Sequence, residues 1–274
     1  MRYPWRRINT EQLMQAFEEL QRKCQEDPLL TTRSQAGKVC SDKFFQKERL
    51  RTAGSRRAEQ TPVEFYKAKH ELVHRHAEIN GGTLFHAWVF LSRAPAHFPP
   101  LLAARLYRRF GATAVADPFA GWGDRALGAM ALGIPYLGVD SNRRLRSCFR
   151  SMCDALPGGE RVTVLFQKSQ TVDFDQYDFD LVLSSPPYYD KTSHRLVEYY
   201  NGAEANYDKF MDECLFPITQ RFLDRGVRVL YALPQHMHID LESRIKCCQG
   251  VIENAGQTVY IYQRNPSDDL RETD

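Results

Sequence analysis

The sequence predicts an α/β protein: a mostly parallel sheet with helices on both faces, preceded by a basic, mainly helical N-terminal region. Two observations carry this reading. From about residue 113 onward, short β-branched and apolar runs alternate with helical spacings, the pattern of a parallel sheet buried on both sides. Before that point the apolar residues recur every three or four positions and the charge is positive.

In chain order, Asn9 or Thr10 can cap a first helix whose apolar side runs through Leu13, Ala16, Phe17 and Leu20. Thr61, Pro62 and Glu64 form a capping box with a proline at the first helical position, which starts another helix. Residues 33–75 hold eleven Lys/Arg against five Asp/Glu, and the densest positive charge lies between these two helices. Such a run is either a solvated helix face or a surface for phosphates, and the choice depends on what the downstream region handles.

Strands are expected at TAVADP (113–118), PYLGVD (135–140), RVTVLF (161–166), FDLVL (179–183), GVRVLYALP (226–234) and QTVYIYQR (257–264). A helix follows the first of them at 125–133. Residues 208–223 have helical spacing interrupted by Pro217, which can open a new helical turn. The expected division is a basic helical region over 1–93, a catalytic domain over 94–264 and an acidic flexible tail over 265–274, where four acidic side chains face one arginine.

The chain's 274 residues suffice for one large α/β domain with an appendage, and 43% hydrophobic content is ordinary for a globular protein. A net charge of +3 does not by itself point to a partner. The seven cysteines include no CxxC pair and no Cys/His cluster at ligand spacing, so free thiols and no structural metal are expected. No apolar run approaches the roughly 20 residues that cross a bilayer, and MRYPWRRINTEQ lacks the apolar stretch of a signal peptide, so a cytoplasmic location without membrane contact is expected.

The chemistry begins at DPFAGWGD (117–124). Gly121 and Gly123 lie between a strand and a helix, where the lack of a side chain allows a tight turn and close approach of a ligand. Asp140 ends the next strand and can accept two hydrogen bonds from the ribose hydroxyls of an adenosine-containing ligand. Ala126 stands where a dinucleotide fingerprint needs its third glycine, which argues against a pyrophosphate ligand.

Taken together, residues 117–123 (DPFAGWG) and Ser185-Pro186-Pro187-Tyr188 resemble the paired motifs of S-adenosylmethionine-dependent DNA amino methyltransferases, which act on adenine N6 or cytosine N4. The matching core spans roughly 95–262. The resemblance implies a Rossmann-like class I methyltransferase sheet and S-adenosyl-L-methionine as cofactor. Asp117, Phe119, Gly121 and Gly123 would hold its methionine portion, Asp140 its ribose, and Ser185 through Tyr188 the target amine. His97 and Phe98 occupy a segment that would fold over the methionine end, or else a turn fixed by Pro99 and Pro100. Ser169 or Gln170 would meet the adenine.

SSPPYY suits such an amine chemically. The nitrogen lone pair of adenine N6 or cytosine N4 is delocalised into the ring, so acceptors on its two N–H bonds, the Ser185 hydroxyl and the Pro186 carbonyl, would localise and aim it. Two prolines stiffen the turn. Tyr188 offers a stacking surface for a base removed from its stack, worth roughly 1–3 kcal/mol. Tyr189 faces the base or packs into the core, with packing favoured, and Lys191 orients the base or contacts phosphate. Serine at the head of SPPY leans toward cytosine N4 over adenine N6 in the resembling family.

The expected partner is nucleic acid, DNA favoured over RNA, with Arg49, Arg51, Arg56 and Arg57 on its phosphates. No room exists for a separate recognition domain after the catalytic turn, so an RNA base amino methyltransferase is the main alternative. An inactive methyltransferase-fold subunit that binds nucleic acid is the other.

Overall fold

The computed structural model describes residues 3–26, 34–53, 60–192, 196, 204–254 and 257–264. Arg56, Arg57 and the acidic tail lie outside them. Seven strands of the described residues form one sheet: β1 (Val115–Asp117), β2 (Tyr136–Val139), β3 (Val162–Leu165), β4 (Leu181–Ser184), β5 (Arg228–Ala232), β6 (Cys248–Asn254) and β7 (Gln257–Tyr262). Their order is β3-β2-β1-β4-β5-β7-β6. β1 to β5 pair in parallel, while β7 runs antiparallel to both β5 and β6. This is a doubly wound sheet that reverses direction between β1 and β4, so a crevice opens at the carboxyl ends of those strands. β6 is absent from the sequence-based expectation because CQGVIEN is an edge strand with polar residues interleaved, and its burial alternates.

Strand periodicity divides the core. Val115, Leu181, Leu183, Leu230 and Ala232 face one layer, whereas Ala116, Val182, Val229 and Tyr231 face the other. The second layer is covered by helices between residues 207 and 245, and the first by the front of the chain. There, α1 (Thr10–Gln25) starts from an Asn9 capping box and buries Leu13, Phe17, Leu20 and Cys24. α2 (Lys38–Arg49) buries Cys40, Ser41, Asp42, Phe45, Gln46 and Arg49. Both helices share one apolar cluster with α5 (Pro100–Arg109), α6 (Asp124–Leu132), α7 (Arg146–Ala155) and the sheet.

Among the described residues before position 94, α1 and α2 thus belong to the cluster of the sheet. A separate cluster forms around Tyr66, Val73 and Trp88 from α3 (Pro62–Asn80), opened by the expected Thr61 capping box, α4 (Leu84–Leu91) and Leu50, with Tyr3 and Trp5 packed against it. On the opposite layer, α8 (Tyr207–Phe210) passes through a single π-helical turn at Met211–Leu215 into α9 (Phe216–Asp224). Pro217 lacks the N–H that an α-helical bond would need, and the wider turn before it absorbs the mismatch. α10 (Gln235–Ile245) follows β5. No described helix is long and apolar enough to cross a membrane.

Candidate active site

One cleft opens at the carboxyl edge of the sheet, walled by the turn after β1, the end of β2, the loop after β3 and the turn after β4. Its first wall begins at Asp117, which is fully buried and accepts from Arg125 Nε (2.7 Å), the Tyr136 hydroxyl (2.6 Å) and Ser184 Oγ (2.5 Å). With the Phe119 N–H at 3.3 Å this carboxylate has four internal donors; Asp117 holds the turn and is not among the residues that line the cleft. Ser184 also accepts from the Phe119 N–H at 3.1 Å, tying the turn after β1 to the end of β4. The Coulomb pull of Asp117, against the cost of burial, holds the Arg125 guanidinium charged.

Gly121 lies in the left-handed region at φ +57° and lines the cleft, and an added Cβ would meet nothing closer than Arg125 Nη2 and Phe119 O at 3.8 Å. A ligand can therefore reach this backbone. Gly123 differs: at φ +72°, an added Cβ would sit 2.8 Å from the Phe45 ring of α2. Gly123 is packed against α2 and is not among the residues that line the cleft.

Asp140 lines the cleft and accepts from the backbone N–H groups of Gly121 (2.8 Å) and Asn142 (2.7 Å). Burial outweighs these two bonds and pushes its pKa up to about 6. Each oxygen holds one backbone donor and keeps lone pairs for a second.

His97 bridges the front of the chain to this wall. Its Nδ1 lies 3.1 Å from the Asp124 carboxylate and 3.2 Å from Ser41 Oγ, and its Nε2 lies 3.2 Å from Asp42 Oδ1. Burial alone would lower its pKa, but the two carboxylates prevail and raise it, favouring an imidazolium that donates from both nitrogens. Asp42 in turn accepts from Arg49 Nη2 at 2.8 Å, and Arg49 Nη1 donates to the Pro95 carbonyl at 3.0 Å. Arg49 is 2% exposed, so it is a strut of the core and cannot reach a phosphate. Arg51 is exposed, with Glu48 at 3.5 Å. Asp42, Ser41 and Asp124 escaped the sequence reading because their roles depend on α2 docking against the turn.

Phe98, Phe119 and Ser169 complete this part of the lining, and Ser169 Oγ donates to the Pro118 carbonyl. On the opposite wall stand Ser185, Pro187 and Tyr188, with Ser185 Oγ donating to the Tyr188 hydroxyl at 2.9 Å. Pro186, between them, is buried and is not among the residues that line the cleft. Tyr189 is completely buried, its ring 5.3 Å from those of Tyr207 and Phe210 and its hydroxyl donating to the Glu204 carbonyl. It is an anchor behind the wall, not a nucleic-acid contact. Lys191 is exposed and outside the lining.

Lys168, Gln170, Glu204, Cys214 and Gln257 also line the cleft. Of these only Gln170 was legible in the sequence, because the others come from loops and strands brought in by the fold. Burial pushes the Cys214 thiol up to about 12, so it is protonated near neutrality.

No family model matches the chain, and no curated protein matches it. Similar solved structures include an RNA methyltransferase from Salinibacter ruber in complex with S-adenosyl-L-homocysteine, at 12% identity over 63% of this chain and 98% of that one, with a TM-score of 0.40. A T. thermophilus 16S rRNA N2 methyltransferase in complex with AdoMet and guanosine is 16% identical over 62% of this chain and 44% of that one, TM-score 0.43. The ribosomal protein L11 methylase from Lactobacillus delbrueckii subsp. bulgaricus is 14% identical over 60% and 78%, TM-score 0.41. The chain has the class I, Rossmann-like methyltransferase fold, with a helical region ahead of it. DNA, which the sequence placed ahead of RNA, is not among the substrates named for these three structures, which are RNA and a ribosomal protein.

Proposed function

We propose that the chain transfers a methyl group from S-adenosylmethionine to the exocyclic amine of an unpaired RNA base, cytosine N4 ahead of adenine N6. The observation that carries this is the facing of two turns across one cleft: Gly121 with Asp140 on one side, Ser185 with Tyr188 on the other.

The residues present fit the cofactor. Open space beside the Gly121 backbone suits the methionine portion, the spare lone pairs of Asp140 suit two ribose hydroxyls, and Phe98, Phe119 and Ser169 close the remaining sides. When bound, the cofactor supplies a methyl group on a sulfonium leaving group. Because the Ser185 hydrogen is directed at Tyr188, the lone pairs of Oγ are left to accept one N–H of the target amine. That contact favours a tetrahedral nitrogen whose lone pair forms the new N–C bond as the C–S bond breaks, with the surplus proton leaving the nitrogen afterwards. A protonated Cys214 offers no thiolate, so the amine attacks without a covalent enzyme intermediate. Tyr188 supplies the ring on which the unstacked base rests. The exposed cations Arg51, Lys168 and Lys191 are the phosphate contacts in this reading.

Incubation of the full chain with labelled S-adenosylmethionine and, in parallel, RNA, DNA and ribosomal protein tests the proposal. Label recovered from RNA as N4-methylcytidine or N6-methyladenosine is the expected result. A product on a ring carbon, a ribose or a protein side chain overturns it.

A further inference from the structure

Beyond the SSPPYY wall, a second groove runs between α10 and the β6–β7 hairpin, and Tyr188 and Gln257 line both it and the cleft. The two recesses therefore adjoin at the edge of the turn that would hold the amine. On the groove's side, His238 lies flat on Tyr260, with ring centroids 3.7 Å apart and planes 8° from parallel. His238 Nδ1 is 2.7 Å from the Tyr262 hydroxyl, which fixes the ring's rotation. The rim carries Ile239 from α10 and Val251 from β6, 56% and 53% exposed. Two large apolar side chains on different elements, both more than half in water and bordering a rigid aromatic stack, form a surface suited to a flat, weakly hydrated partner.

The polar groups narrow its chemistry. Gln235 and Thr258 offer neutral donors and acceptors, Glu253 is an acceptor, and no Lys or Arg lines the groove among the described residues. A phosphate would find no Lys or Arg there and would face the Glu253 carboxylate, whereas the face and edge of a base meet apolar surface and neutral hydrogen-bonding groups.

We propose that this groove binds the base of the nucleotide adjacent to the methylated one in single-stranded RNA. The assignment rests on the reading of the cleft as a base-amine methyltransferase site and names the feature of the substrate that selects it. A base stacked at this point contributes roughly tenfold to affinity, within the range found for sequence-tolerant stacking.

The test uses the full chain and fluorescent oligoribonucleotides carrying one cytosine or adenine target, with the neighbouring 5′ or 3′ nucleotide either intact or abasic. Binding is measured by anisotropy and methyl transfer in the same mixtures. The wild-type chain is expected to lose about tenfold in affinity for one of the two abasic probes. In Ile239→Ser/Val251→Ser, both exposed and so tolerated by the fold, that ratio should fall to near one. Gln235→Ala should keep the dependence on a base but change which base is preferred. Equal binding of intact and abasic probes by the wild type overturns the proposal, as does an undiminished ratio in the double variant whose circular dichroism is unchanged. Base dependence without methyl transfer sinks the methyltransferase reading and spares the subsite; methyl transfer without base dependence does the reverse. Competition by a ribosomal-protein peptide that the double variant abolishes, with oligonucleotide binding untouched, assigns the groove to protein and overturns the nucleotide reading.

Discussion

Behind the glycine turn, the Asp117 carboxylate takes donors from Arg125, Tyr136 and Ser184, and His97 sits between Asp42 and Asp124. Across the cleft, Ser185 and Tyr188 share one hydrogen bond, and Tyr189 anchors the turn by burial of its ring. The cofactor wall is thus a dry lattice of ions held in place before any ligand arrives. The amine wall instead presents the Ser185 hydroxyl beside the Tyr188 ring, with no ion pair between them. Removing one member of the first wall strands a buried charge, whereas removing one member of the second subtracts only what it does for the base.

The largest effect follows from that contrast. Arg125→Met leaves Asp117 buried without its cation and should cost about 3–5 kcal/mol in urea unfolding, while Ser185→Ala should stay within about 0.5 kcal/mol of the parent. Equal stability of the two variants would remove the distinction between the walls.

Activity should show the reverse. Ser185→Ala is expected to lower methyl transfer about 10²-fold and leave S-adenosylmethionine affinity within about twofold, because the acceptor matters as the nitrogen rehybridises. Calorimetry beside turnover checks this, and a loss confined to affinity would move Ser185 to the cofactor side.

Asp140 sharpens the comparison through pH. With its pKa raised from 3.8 to about 6, stability from the protonated form is complete below about 3.8 and is lost as pH rises through about 6. Ribose hydroxyls donate to the ionised form, so S-adenosylmethionine affinity should weaken toward tenfold per unit as pH falls below about 6. Asp140→Asn should bind more weakly at pH 8 and lose this slope. An unchanged slope in the variant assigns the dependence elsewhere.

Tyr188→Phe keeps the ring but takes away the acceptor for the Ser185 hydrogen, worth about 0.5–1.5 kcal/mol, so turnover should fall severalfold, far less than in Tyr188→Ala. A Phe variant as inactive as the Ala variant would give the hydroxyl, not the ring, the larger part. The smallest effect expected is at Arg51, where Arg51→Gln should reduce the slope of log affinity for RNA against log salt by at most about one.

Much of this protein is specified by local signals. The Asn9 and Thr61 caps, the strand runs and the two motif turns depend on neighbours within a few residues, so residue order alone made them readable. β6 was not readable in this way, since a half-exposed edge strand lacks the apolar run that marks its neighbours. The roles of charged residues were equally beyond reach. Arg49 and Arg51 stand two positions apart in the same basic run, yet one is closed inside the core by Asp42 and Pro95 and the other meets solvent. Asp117 and Asp140 both end strands in a ligand-facing crevice, yet only Asp140 opens to it, because Ser184, Arg125 and Tyr136 converge on Asp117 from three other elements. A carboxylate's task depends on which donors reach it and what water is left beside it, and both are set by packing between segments far apart in the chain.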